Sequence, residues 1–110
     1  MPDRYADKLT SLSQAVLESP GRLEPEFRKA VFLAGQAGAD LEAELPSAWR
    51  TLVEKIATAA YKVTDGDIDT LRQDGLDDDA IFEVVLATAL GAASARLERG
   101  LAVVNAGLKA

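Results

Sequence analysis

Lys62-Val63-Thr64-Asp65-Gly66-Asp67-Ile68-Asp69-Thr70-Leu71-Arg72-Gln73-Asp74-Gly75-Leu76-Asp77-Asp78-Asp79-Ala80-Ile81-Phe82-Glu83-Val84-Val85-Leu86 contains a helix start, a helix stop and a second helix start within 25 residues. Thr64 suits the N-cap of a short helix, with Asp67 three residues on as the acid of a capping box. Val63 and Ile68 occupy the two positions of a hydrophobic staple. Asp65, Asp67 and Asp69 place negative charge at the positive end of the helix dipole. Gly75 fits the left-handed position just past the helix end, with Leu76 folding back on Leu71 as in a Schellman ending. Asp77 or Asp78 then caps the next helix.

Working outward, that last helix keeps apolar residues at helical spacing for over six turns: Ile81, Val85, Ala89, Ala92, Ala93, Leu97, Leu101 and Val104. Phe82, Leu86 and Leu90 broaden the stripe, and a helix apolar on more than one side has neighbours on more than one side. The small residues from Ala87 to Ala95 would let another backbone approach closely. Upstream, Pro46 opens a helix predicted to run to Val63, with Leu45, Trp49, Leu52, Val53, Ile56, Ala59, Ala60 and Val63 turned inward. Two earlier helices are expected. One covers residues 3–18 with Leu9, Leu12, Val16 and Leu17 on one face. The other starts at Pro25, with Phe27, Ala30, Val31 and Ala34 inward, and breaks between Gly35 and Asp40. No strand pattern or internal repeat is present, so the expected fold class is all-α: a bundle of five to six helices in one domain.

Composition agrees and narrows the chemistry. The 110 residues are 48% hydrophobic but only 5% aromatic, and alanine supplies much of the difference. Alanine loses no side-chain entropy in a helix and packs closely. No cysteine is present, which excludes disulfides, thiolate metal sites and thiol redox chemistry within the chain. No histidine is present either, which removes the side chain best matched to proton transfer near neutral pH. The net charge is -6 and the 12 basic residues are scattered, so no basic stripe for nucleic acid exists. The apolar run Ile81–Leu90 reads as too short to span a bilayer. With a charged N-terminal segment, the expectation is a cytoplasmic protein with no membrane partner.

Three groups of residues invite a chemical reading. Seven aspartates fall between Asp65 and Asp79. As a calcium loop beginning at Asp65 they fail, because Thr70 replaces the glycine of position six and Leu76 the glutamate of position twelve. Helix caps explain them better. Glu54 and Tyr61 share a helical face with Thr58, and Lys62 follows. These could hold a proton relay or an anion, or be an exposed Arg50–Glu54 pair beside a half-buried tyrosine. Trp49 reads as a core or interface anchor. Ser94 has no histidine to activate it as a nucleophile.

Val63–Leu71, Gly75–Glu83 and the long helix after them resemble the AhpD-like superfamily, the alkylhydroperoxidase D and carboxymuconolactone decarboxylase proteins. The resemblance spans about residues 46–107 and is sharpest over 56–101. It implies an all-helical fold that assembles as an oligomer with sites near subunit contacts. In members with peroxidase activity, Cys-x-x-Cys and a histidine precede the glycine that matches Gly75. Those positions fall here on Ala60, Val63 and Asp67. The proton-relaying glutamate would fall near Ala48, with Glu44 and Glu54 only nearby. Thiol exchange needs a thiolate, so the resemblance carries the scaffold without its redox chemistry, and no cofactor or metal is implied. The expectation is an oligomeric binding or structural protein assembled through the C-terminal helix. The alternatives are a non-thiol acid–base enzyme using Glu54, Tyr61 and Lys62, or a small-ligand binder in a pocket near Tyr61.

Overall fold

Five α-helices and one 3-10 turn make up the regular structure of residues 4–38 and 45–109, which the computed structural model describes. They are α1 (Arg4–Glu18), α2 (Pro25–Ala37), α3 (Ser47–Ala59), the 3-10 turn Ala60–Lys62, α4 (Asp65–Gln73) and α5 (Asp78–Lys109). The all-α expectation holds, and the long apolar C-terminal helix is present. Glu44, Asp40 and the rest of 39–44 lie outside the described residues.

Local chemistry sets the corners. At α4, the Thr64 hydroxyl accepts from the Asp67 amide at 3.3 Å and the Asp67 carboxylate accepts from the Thr64 amide at 2.9 Å. That is the capping box read from the sequence. Val63 and Ile68 both pack against the core. Gly75 has φ +96°, Leu76 donates its amide to Leu71 O at 3.2 Å and Gly75 donates to Arg72 O at 3.0 Å. This is the Schellman pair of bonds. Asp77 caps α5 through the Ala80 amide at 2.8 Å.

α5 is the spine. At ~1.5 Å per residue its length is about 48 Å, and it sets the 52 Å long dimension of the chain. α2 and α3 lie along its N-terminal two thirds. The core joins Leu23, Val31 and Ala34 to Leu45, Trp49, Leu52, Val53 and Ile56, with Leu71 from α4 and Ile81, Val84 and Ala87 from α5. Trp49 is a core anchor. Its ring meets Phe27 at 5.5 Å between centroids, and its Nε1 donates to Asp74 Oδ2 at 3.1 Å.

The closest helix contact is between α2 and α5. A Cβ on Gly35 would collide with the Thr88 carbonyl oxygen and sit 3.0 Å from the Ala92 nitrogen. A Cβ on Gly91 would collide with the Phe32 carbonyl oxygen and sit 3.2 Å from the Gln36 nitrogen. Gly35 therefore belongs to the middle of the packing and does not loosen the end of α2, which runs on to Ala37 before Gly38 turns with φ +71°. The small residues of α5 admit a neighbouring backbone as expected, but that backbone is α2 of the same chain.

Three other expectations need correction. α3 stops at Ala59 rather than Val63, leaving Ala60 exposed and Val63 only half-buried. On α1, Leu12 is exposed and Ser13 is buried, and Arg28 of α2 turns under the end of the helix. The Arg28 side chain is buried and its Nη1 donates to Val16 O at 2.7 Å, placing a cation at the negative end of α1. On α5, the core face is Ile81, Val84, Ala87, Thr88, Gly91 and Ala92, whereas Ala89 and Ala93 face outward. The apolar part of this helix also extends well beyond Ile81–Leu90. By length and composition alone, Asp78–Leu108 is long and apolar enough to cross a membrane, and close to half of its most apolar window is buried in the fold.

Candidate functional site

The resemblance directs attention first to the α3–α4 corner, where redox residues would sit. Ala60 is exposed on the 3-10 turn, Val63 packs sideways onto the core, and Asp67 is tied down at the start of α4. Asp67 Oδ2 accepts from Lys55 Nζ at 2.8 Å as well as from the Thr64 amide. Lys55 was not singled out in the sequence, since its partner lies twelve residues away on another helix. Its hydrogen bond, then that of the Thr64 amide, hold the Asp67 carboxyl below its ordinary value, against a smaller opposing effect of burial. The corner is thus an ion pair locking a helix start, with methyl groups where sulfur would be needed.

This lock has a pH signature. A carboxylate with a lowered native pKa stabilises the fold above its unfolded value of 3.8, and that contribution disappears as pH falls through the lower native value. Asp67→Asn is therefore expected to be less stable than the parent at about pH 7, with the gap closing in steps below 3.8. Urea midpoints across that range test it; a gap that stays constant to the acid end would contradict it.

Among the described residues, Glu54, Tyr61 and Lys62 are not seen to line a concavity. All three are exposed, Tyr61 at 85%, and Lys62 Nζ rests 5.9 Å from the Tyr61 ring centre. Thr58 turns its hydroxyl back to the Glu54 carbonyl at 2.7 Å instead of joining them. The surface concavities lie elsewhere. One of about 520 Å³ is bounded by Pro20, Gly21, Arg22, Asp79, Phe82 and Glu83. Another of about 420 Å³ lies between Gln36–Gly38 and Ala95–Ala102 of α5. A third of about 270 Å³ lies between α1 and α5 near Ser13 and Ser94. None is lined by Glu54, Tyr61 or Lys62. Asp65, Asp67 and Asp69 sit on α4 rather than on a loop, and no acidic group converges to hold a cation among the described residues.

The feature that stands apart is the outer face of α5. Phe82, Leu86, Leu90, Ala93, Leu97, Leu101, Val104 and Leu108 follow one another at intervals of four, four and three residues. Eleven residues make three turns at ~3.67 per turn, so such a row stays on one side of a straight helix. Phe82 is 63% exposed, Val104 50% and Leu108 71%, while Leu90, Leu97 and Leu101 are half-buried at the edges. The row lies opposite the Gly91 face that packs on α2. From Leu86 onward it includes no charged residue. Sequence reading found these residues but merged them with the core face, because an all-round apolar helix gives periodicity without a unique phase.

Comparisons with family models, with curated proteins and with solved structures find no match.

Proposed function

We propose that this chain is a helical assembly module, an AhpD-like scaffold without a redox centre, whose working part is the outer face of α5. Support for the scaffold comes from the order of its signals: capped α4, glycine turn, long apolar α5. Support for assembly comes from one observation above all, the eight-residue apolar row opposite the core, five of whose members are exposed. Contiguous exposed apolar surface of this kind marks an interaction site, since soluble monomers seldom leave it open to water. A chain of this size also gains core by associating. The solvent-exposed positions of Glu54, Tyr61 and Lys62 favour association over acid–base catalysis.

The test is to charge the face without touching the core. Phe82→Glu combined with Val104→Glu, both well exposed, is expected to keep the helical circular dichroism of the parent while its mass by light scattering falls to the monomer's 11.7 kDa. An unchanged mass relative to the parent would sink the reading.

A further inference from the structure

We infer that the occupant of the α5 outer face is a second copy of the same helix, running antiparallel about a two-fold axis beside residue 95. The proposal rests on the assembly reading above and adds partner, direction and register to it.

Three observations carry it. The apolar row is nearly the same read from either end. With the axis beside residue 95, Phe82 meets Leu108 of the second copy, Leu86 meets Val104 and Ala93 meets Leu97. An isologous contact requires that kind of self-complementarity. Ala93 at the centre, flanked by exposed Ala89, leaves room for the opposing Leu97.

Charge supplies the direction. Asp77, Asp78, Asp79 and Glu83 crowd the start of α5, whereas no acidic residue follows Glu98. An antiparallel pair sets the acidic start of each α5 beside the acid-free end of the other and opposes the helix dipoles; a parallel pair sets the two acidic starts side by side.

Burial supplies the third argument. Between Gly100 and Leu108 only Leu101 and Asn105 are even half-buried, with Val103 72% exposed. A helix end with so little packing is marginal in water, so these apolar turns draw little support from the described residues of their own chain. In the antiparallel pair those turns lie along Phe82–Leu90 of the second copy, the part of α5 braced by α2 and α3. The cleft of about 520 Å³ beside Phe82 then stands opposite Leu108.

The absence of cysteine makes the test clean, since one introduced thiol is unique. A nitroxide on Leu108→Cys should give a spin–spin distance of ~39 Å or slightly more, the rise across 26 residues. A mixture of Phe82→Cys and Leu108→Cys chains should form a mixed disulfide more readily than either alone. A short distance of about 10 Å, the spacing of packed helices, with each variant cross-linking to itself would overturn the antiparallel arrangement while leaving assembly intact. No dipolar signal and a monomer mass would overturn the assembly reading itself. Monomers that bind vesicles of phosphatidylcholine and phosphatidylglycerol through α5 would replace the second copy with a lipid surface.

Discussion

Gly91→Val is expected to leave the chain unfolded at room temperature, and Gly91→Ala to lower its unfolding free energy by about 3 kcal/mol or more. A single added methyl group would meet the Phe32 carbonyl of α2. That atom belongs to a helix backbone and cannot rotate away, so the two helices must separate. Separation would weaken the largest contact between elements in the fold, with Val31, Ala34, Val84 and Ala87 beside it. Gly35→Ala should behave alike, since its methyl would meet the Thr88 carbonyl. The sign is the informative part. In an open helix position the same change is stabilising by about 0.5–1 kcal/mol. Gly66 in α4 is such a position, with only ordinary contact at 3.6 Å to Thr64 Oγ1. Urea unfolding of Gly35→Ala, Gly66→Ala and Gly91→Ala should move the midpoints of the first and third down and that of the second up. Upward shifts for Gly35→Ala and Gly91→Ala would show that the α2–α5 contact is looser than described.

Glu83→Ala is expected to cost about 2–3 kcal/mol, the range for a charged group holding several hydrogen bonds. Its carboxylate accepts the Arg22 amide at 3.0 Å on both oxygens and the Leu23 amide at 2.9 Å on Oε2. These bonds fasten the α1–α2 loop to α5 and place Leu23 in the core. Gly21 is required next to them, because a side chain there would occupy the space of the Glu83 carboxylate. Exposed ion pairs of Arg22 with Asp77 and Asp79, at 3.7 and 3.8 Å, add little. Glu83→Gln keeps one acceptor oxygen and should lose about half as much. Denaturant midpoints measure both; equal stability of Glu83→Ala and the parent would mean that the loop is held by packing alone.

What the sequence revealed and what it hid follow from the range of the interactions. Thr64, Asp67, Gly75 and Asp77 were legible because each cap closes over three to five residues and depends on little beyond them. The end of α3 was not, since Ala60, Tyr61 and Lys62 contain no stop signal and the helix simply tightens into a 3-10 turn. Gly35 and Gly91 looked like a loosened end and a member of a small-residue stripe. Their pairing spans 56 residues and exists only once both helices are placed. Arg28 was hidden for the same reason, its acceptor being a carbonyl on another helix. The outer face of α5 was visible as apolar residues, yet its separation from the core face required knowing which side α2 covers.

The central claim is that this outer face is an interface, and the native mass tests it most directly. Sedimentation equilibrium of the unmodified chain at about 10 µM, a concentration at which interfaces of ordinary affinity are occupied, should give at least twice 11.7 kDa. A single species at 11.7 kDa under those conditions would contradict the account.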